Sequence, residues 1–574
     1  MTDPRSWTGA RWVMLPADAG GVEDLRHGGY EEPVARCMLI RGLPVAAVRE
    51  RPELDQLHDP FAMLGMGEAV ERFERAVRDR NRIRILTDYD VDGTTSSLIL
   101  QATLRLAAPD LFIDYHIPDR FTEGYGFSVE AAAKAGRDKI DLLVTADIGV
   151  RDHASVARAR EDGVDVVICD HHLPAGMSVP AGATVLCPPQ VGCAYPNRHL
   201  AACGVSLKLA QALLIAHPKR DRILRSLLKL AAIGTVADLV SLATPENRAI
   251  VSLGLAELNR GPHHPGLSAL LDVCRLTPGT ITESDLAFRV APRINAAGRI
   301  ASATRVVDLL TTADASRART LAEELEALNQ ERRTVQQHLV ERALTAAHAS
   351  QDPFVVVAGP EEDGWHRGVV GIVAARLKDE LHRPVAVVSI QGDVAVGSVR
   401  SIPGVHAVQA LESAADLLVR FGGHPAAAGF SLPAAQLDAL RERLSAWMMS
   451  YTAEDSLVPE REVDAVVHAD ALDQRLFGQL AQLSPFGIGN PEPRLLVRSP
   501  RPLAVRRMGK EGKHLTWQVP RGRGEPVDVV WWGRADLADK VARGPAELLG
   551  RLEQNHYGGR SGLRFVITDA RDPS

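Results

Sequence analysis

The chain has 574 residues, 45% apolar and 24% charged, with a formal net charge of −6; at about 100–200 residues per domain this implies several domains of ordinary globular composition, which excludes disorder as the main state. No apolar run reaches the roughly 18 residues of a membrane span, and the first residues, MTDPRSWTGARW, do not read as a signal peptide. Six cysteines with no CxxC spacing exclude a zinc ribbon or a disulfide framework, so a cytoplasmic protein without a membrane partner is expected.

In chain order, about eighty residues come first, including the helix-like AVERFERAVRDR, which is expected to pack on the strand after it. From Ile83 to about Val240, short β-branched runs (IRIL, FIDYHI, DLLVT, DVVIC, ATVLC) alternate with helical stretches such as SSLILQATLRLA and DHASVARAREDG. That alternation predicts a mostly parallel sheet wrapped by helices. Between Gly298 and Pro353 there is neither Gly nor Pro, and Leu321, Leu325, Leu328, Val335 and Leu339 recur at near-helical spacing. A single connector helix of roughly 55 Å is expected over 313–349, the alternative being two packed helices broken near Asn329. A second α/β unit begins at FVVVAG and runs through PVAVVS and VAVGSVR to FGGHPAAAG. From about Ser456 the short alternating runs RLLVRS, HLTWQV, VDVVWWG and LRFVITD read as a small β-barrel or sandwich. The expected division is therefore 1–80, packing on the first lobe; 81–312, the parallel α/β lobe; 313–349, the connector; 350–455, the smaller α/β lobe; and 456–574, the β-domain.

The chemistry concentrates where strands end. ILTDYDVDGTTS follows IRIL directly, so Asp88, Asp90 and Asp92 alternate through a turn that opens into a helix. A calcium loop of the EF-hand kind would need Glu at position 99, which is Ile, and an entering helix rather than a strand. LLVTAD ends a strand at Asp147, VVICD ends another at Asp170 before His171 and His172, and AAIGTVADLV places Asp238 just after an apolar helix. Ligands of open parallel sheets bind outside the carboxyl ends of the strands. A single Asp closing a strand is usually a cap; five acids and two histidines recurring at strand ends form a two-metal constellation. Two divalent ions roughly 3.5–4 Å apart suit in-line phosphoryl displacement, and an imidazole ligand shifts preference from Mg²⁺ towards Mn²⁺.

In the second lobe, GSVRS ends a strand with a small residue, a hydroxyl and Arg400, which suits a phosphate. Gly422 to His424 precede AAAG, which is expected to open a helix whose N-terminus favours an anion.

With these motifs in hand, the chain resembles the DHH phosphoesterase superfamily, named for triplets such as Asp170-His171-His172, and in particular its RecJ-type single-stranded-DNA exonucleases. TDYDVDG, VTADIGV, DHHLP and GTVADLV stand in that family's order and spacing. IPDRFTEGYGFS and APRINAAGR look like its substrate-facing segments; WHRGVVGIVAAR, GSVRS and FGGHPAAAGF look like a DHHA1 lobe; PFGIGNPEPRL looks like the lead-in to an OB-type domain. The resemblance implies metal ligation by Asp88, Asp90, Asp147, His171 and Asp238, with Asp147 bridging two Mn²⁺ or Mg²⁺ ions. It places Asp170 behind a histidine that it orients, His172 facing the scissile phosphate, and Asp92 in support of the turn. Arg120, Arg293 and Arg299 are expected on phosphates, a terminal 5′-phosphate among them, with Ser398, Arg400 and His424 on the substrate backbone. Leu86 stands where some relatives have His, which implies fewer protein ligands to one metal; Thr87 and Ile148 stand where Gly and Asn are commoner, with modest consequence expected.

The implied activity is 5′-to-3′ digestion of single-stranded DNA to 5′-mononucleotides, in recombination and repair, the strand threading a hole too narrow for duplex. A monomer is expected, supplied with substrate by a single-strand-binding protein and a helicase. The rival readings are an oligonucleotide or cyclic-dinucleotide phosphodiesterase and a non-catalytic replication-fork scaffold. The OB-like tail, where bases would stack, disfavours the first, and the intact acids disfavour the second. Candidates there are Trp517, Trp531, Trp532, His556 and Tyr557, with Arg506, Arg507, Lys510 and Lys513; alternation requires one of Trp531 and Trp532 to point inward. From Arg494 to Ser574, sixteen Lys and Arg face nine Asp and Glu, so an acidic average conceals a basic tail.

Overall fold

The computed structural model describes residues 5–49, 52–119, 122–124, 126–300, 302–451, 458–498, 500–522, 524–557 and 560–573, with only the backbone at 175, 300, 556, 557, 560 and 561. It divides into two compact units: a central unit, Val45–Glu331 with Ser484–Pro491, and a composite unit, Met1–Pro44 with Arg332–Leu483 and Glu492–Ser574.

In the central unit, strands Ile83–Thr87, Ile113–His116, Leu142–Ala146, Asp165–Cys169 and Ala183–Leu186 form one parallel sheet. Ile113–His116 lies outside Ile83–Thr87, and the other three follow in sequence on its opposite side. The strand order therefore reverses at Ile83–Thr87, which is where an open sheet leaves a crevice. Helix Val91–Ala107 is buried on almost every face through Gln101, packed against helices Ala202–Leu213 and Arg220–Ala237. That explains its lack of a polar face. Helix Met66–Arg78 seats Phe73 and Ala76 in the core beside Ile83 and Ile85, as its pattern implies.

Helix Ala315–Ala349 runs 35 residues without a break at Asn329. Its first half adds Ala318, Ala322 and Leu325 to the central core, and its second half adds Leu339, Ala343 and Ala347 to a core of the composite unit. Alanines carry as much of the buried stripe as the leucines at near-helical spacing do.

The composite unit holds a five-stranded sheet, ordered Arg420–His424, Ala427–Pro433, Val394–Arg400, Val385–Gln391, Val355–Pro360, antiparallel except for its last pair. Here the expectation of a helix after Gly422 to His424 fails: these residues are an edge strand pairing with Ala427–Pro433. The alternation Ala428, Phe430, Leu432 buries one face of that second strand, a period of two that an alanine-rich reading as helix overlooks.

A seven-stranded sheet follows, ordered Ala465–Val467, Leu495–Val497, Glu547–Tyr557, Arg560–Arg571, Val527–Trp531, His514–Val519, Leu503–Met508. Residues 5–44 fold with it, which corrects their assignment to the parallel lobe. Arg11–Met14 pairs in parallel with Glu460–Val463. Trp12 Nε1 donates to Asp569 Oδ2 at 2.9 Å, and Arg41 forms a buried ion pair with Asp464 at 2.9 Å. Among the described residues no helix is long and apolar enough to cross a membrane, and all six cysteines are buried free thiols.

Candidate functional site

Three strand ends of the parallel sheet and one helix end deliver the acids to one place. Asp88 leaves strand Ile83–Thr87, and Asp90 caps the next helix, accepting from Gly93 N at 3.0 Å. A Cβ at Gly93 would lie 2.4 Å from Asp88 O, so only glycine lets the helix start this close to the strand end. Asp147 follows Leu142–Ala146 with φ +65°, a left-handed conformation that a non-glycine residue adopts at some cost. Asp170, His171 and His172 follow Asp165–Cys169, and Asp238 closes helix Arg220–Ala237. That helix approaches Val91–Ala107 through Gly234, where a Cβ would meet Thr95 Oγ1 at 2.4 Å and Cys203 Sγ at 2.6 Å.

The result is three overlapping groups whose donor atoms lie within 4.8 Å of one another: Asp88, Asp90 and Asp147; Asp147, Asp170, His171 and His172; and Asp92, His171 and Asp238. His171 Nε2 lies 3.2 Å from Asp147 Oδ1 and 3.6 Å from Asp238 Oδ2. Neither His171 Nε2 nor Asp238 Oδ2 has a hydrogen-bond partner among the described residues, although both are buried. Burial, and then the charges of Asp90, Asp92, Asp88 and Asp238, push the Asp147 carboxyl well above the usual range; burial, and then Asp92 and Asp90, do the same to Asp238. Burial holds His171 below its ordinary value, which favours the neutral imidazole that a metal requires. Carboxylates crowded in this way, with a neutral imidazole and unused acceptors, fit a hard or borderline divalent cation.

Two of the acids do other work. Asp170 Oδ1 accepts from the His171 and His172 backbone N–H at 2.7 and 3.2 Å and from His172 Nδ1 at 2.8 Å, while its Oδ2 accepts from Val150 N at 3.0 Å. Burial would raise Asp170, but the bond from His172, the two imidazole charges and the backbone donor hold it below the usual range. Burial pulls His172 down, yet its bond to Asp170 and that residue's charge leave it raised, with Nε2 as its remaining donor. Asp92 accepts from Ala202 N at 2.7 Å and Cys203 N at 2.8 Å, capping helix Ala202–Leu213. It ties two helices together rather than supporting its own turn, a long-range contact that local sequence does not reveal. Leu86, in the position where some relatives have His, packs in an apolar cluster with Ile148 and Ile168 and supplies no ligand.

Residues 82–235 match the DHH family N-terminal domain, 351–450 the DHHA1 domain and 463–569 the RecJ OB domain. Over 569 residues the chain is 35% identical to the single-stranded-DNA-specific exonuclease RecJ of Bacillus subtilis, covering 98% of this chain and 70% of that protein. The RecJ of Thermus thermophilus is 36% identical over 528 residues, covering 90% of this chain and 73% of that one. The chain belongs to the RecJ family. A crystal structure of RecJ in complex with Mn²⁺ from Thermus thermophilus is similar with a TM-score of 0.83 at 32% identity, covering 100% of this chain and 80% of that one. The corresponding complex with Mg²⁺ gives 0.78 at 30% identity, with 100% and 79% coverage.

With the family established, the remaining residues sort by burial. In the DHHA1 domain, Arg400 Nη1 donates to Ser398 Oγ at 2.8 Å, and a Cβ on Gly371 would lie 3.1 Å from both Ser398 Oγ and Arg400 Nη2. Gly371 opens helix Val370–Leu381, so the helix N-terminus beside these two residues is that of WHRGVVGIVAAR, not one after His424. His424 is exposed on the edge strand. Arg293 departs from its expected phosphate role: it is buried, and its guanidinium donates to Glu326 at 2.5 Å and to the carbonyl oxygen of Arg289 at 2.6 Å. Arg299 lies half-buried on helix Ala291–Ile300, and Arg120 lies outside the described residues.

In the OB domain, Trp517 is 2% exposed and fills the core, so it cannot stack on a base. Trp531 points inward, stacked with Trp7 at 6.2 Å, and Trp532 points outward at 44% exposure. Trp532 meets His514 edge-on at 5.0 Å with Arg564 over its ring at 5.6 Å. Arg506, Arg507, Lys510 and Lys513 are exposed, the last paired with Glu511. The side chains of His556 and Tyr557 lie outside the described residues.

Proposed function

We propose that this chain is a metal-dependent exonuclease specific for single-stranded DNA. The observation that carries the reading is the convergence of Asp88, Asp90, Asp147, His171 and Asp238 in groups of donor atoms within 4.8 Å, in a chain of the RecJ family. These five residues would hold Mn²⁺ or Mg²⁺, two ions in all, with Asp147 common to two of the donor groups. When bound, the ions supply Lewis-acid polarisation of a phosphodiester and neutralise the charge that develops on it. The chain's own groups orient and donate: Asp170 locks the tautomer and plane of His172, whose Nε2 is left to donate to a phosphate oxygen. Ser398, Arg400 and the N-terminus of Val370–Leu381 suit a further backbone phosphate. Trp532, with His514 and Arg564, offers a face for base stacking, and the exposed Arg and Lys of the same domain track the strand.

Digestion runs from the 5′ end and releases 5′-mononucleotides. The enzyme acts as a monomer in recombination and repair, on strands delivered by a helicase and a single-strand-binding protein. The test is to incubate the full chain with Mn²⁺ and 5′-labelled single strands, blunt duplexes or dinucleotides, alongside Asp147→Ala. Release of labelled mononucleotide from single strands alone is expected, and none from the variant. Cleavage of dinucleotides only would replace the reading with a small-substrate phosphodiesterase, and binding without cleavage with a scaffold.

A further inference from the structure

Asp238 Oδ2 is buried with no hydrogen-bond partner among the described residues and has only the His171 imidazole at 3.6 Å beside it, so the backbone that carries Asp238 largely sets where its carboxylate points. That backbone is the end of helix Arg220–Ala237, held by the Asp238 N–H to Gly234 O bond at 2.9 Å, followed by Leu239 at φ +59° and an irregular turn through Ala243. The turn is held locally by Ala243 N–H to Ser241 Oγ at 3.3 Å, Thr244 Oγ1 to Ser241 O at 3.3 Å and Asn247 Nδ2 to Ser241 O at 2.9 Å, and further contacts reach it from far along the chain. Leu242 N donates to Ile488 O at 2.7 Å. A Cβ on Gly489, which sits at φ +78°, would lie 2.5 Å from Ser241 Oγ and 3.0 Å from Ala243 Cβ; one on Gly487 would lie 2.8 Å from Leu242 Cδ1. The segment Ser484–Pro491 thus lies flush on the turn, and it belongs to the central unit although both of its sequence flanks belong to the composite unit.

The loop is itself pinned at a second edge. Glu283 accepts from Ser484 Oγ at 3.1 Å and from Phe486 N at 2.8 Å, and Arg248 Nη2 donates to Ser484 O at 3.1 Å. Within the loop, Asn490 Nδ2 donates to Pro485 O at 2.8 Å, and Gly487 and Asn490 exchange backbone hydrogen bonds. The loop, clamped by Glu283 and Arg248, therefore rests on Ser241, Leu242 and Ala243, the third to fifth residues after Asp238. Building on the metal-centre reading above, we infer that the loop Ser484–Pro491 is a positioning element for Asp238, setting where that carboxylate points by fixing the turn Leu239–Ala243. The loop touches no reacting group; it acts through the turn. Outer partners of a metal ligand commonly govern about 10–100-fold in metal affinity, which is the scale expected here.

The experiment is Mn²⁺ titration of the full chain by electron paramagnetic resonance, for wild type, Glu283→Ala, Glu283→Gln and Gly489→Val, with circular dichroism to establish folding. Glu283→Ala and Gly489→Val should weaken Mn²⁺ binding about tenfold, while Glu283→Gln, which still accepts from Ser484 and Phe486, stays close to wild type. Exonuclease turnover of the two weakened variants should recover at saturating Mn²⁺, and metal-free unfolding curves that match wild type separate positioning from general destabilisation, which metal would also rescue. If either variant fails to fold, Ser484→Ala removes a single donor and should weaken Mn²⁺ about fivefold. Unchanged Mn²⁺ affinity in folded variants overturns the inference while leaving the metal centre intact. A wild-type chain that binds no Mn²⁺ overturns the metal-centre reading itself.

Discussion

Two clusters of charge are buried in the central unit, and they follow opposite rules. Around Glu246, every charge is answered: Lys208 lies 3.0 Å away, Tyr195 Oη donates at 2.7 Å, Asn197 Nδ2 at 3.2 Å and His58 N at 3.0 Å, with both ion-pair side chains fully buried. Around Asp147, carboxylates face carboxylates, and the ion-pair partners of Asp147 and Asp238 among the described residues are histidines alone. The first cluster costs desolvation and recovers it within the fold; the second leaves an electrostatic debt that a cation would settle. Burial of charge does not mark function. Charge that the fold leaves unanswered does.

The largest effect that sharpens this contrast is Asp147→Ala. It should lower turnover about a thousandfold or more, the scale of several kcal/mol of lost metal stabilisation, while leaving the metal-free protein at least as stable as wild type, since it removes a buried like charge. A metal-free melting point that falls sharply would erase the distinction between the clusters. Glu246→Ala should behave oppositely, costing about 3–5 kcal/mol of stability in urea unfolding because it strands Lys208, with most of that recovered in the double variant Lys208→Met, Glu246→Leu. A neutral Glu246→Ala would show that this cluster, too, is unanswered.

A third test uses pH. Asp147 and Asp238 have raised folded values, so without metal their contribution to stability is present below the unfolded carboxylate value and is lost as pH rises through the folded ones. Asp170, lowered by its partners, works the other way: its contribution is present above the unfolded value and lost as pH falls. Thermal-shift measurements should therefore show Mn²⁺ raising the melting point more at about pH 8 than at about pH 5.5. An equal shift at both would mean that these acids do not take up the ion.

The smallest effect carries the contrast between buried and available groups into the OB domain. Trp532→Ala should weaken single-stranded-DNA binding by about 1–3 kcal/mol with little change in stability. Trp517→Ala should cost about 3–5 kcal/mol of stability, because Trp517 fills the core. Fluorescence anisotropy and unfolding on the same two variants separate them, and the reverse pattern would place the strand on a different face.

Much of the central unit was legible in the sequence because its three inner strands are buried on both faces and read as unbroken apolar runs. Their ends are marked by the acids themselves: IRIL before Asp88, LLVTA before Asp147, DVVIC before Asp170. What escaped was whatever depends on partners distant in sequence. Asp92 reads like its neighbours Asp88 and Asp90, and only the docking of helix Ala202–Leu213 makes it a cap. Arg293 sits in a motif of substrate-facing look and turns out to be occupied by Glu326.

The sequence by itself determined the order of the elements, the residues able to bind a cation and the inward or outward alternation of Trp531 and Trp532, because these follow from periodicity and side-chain chemistry along a continuous stretch. Only the tertiary structure decided that residues 5–44 complete the C-terminal unit, that Gly422 to His424 form an edge strand, and that Ser484–Pro491 leaves its neighbours to pack on the turn after Asp238. Each of those outcomes depends on which distant surface buries a short segment, and a local pattern carries no record of its partner.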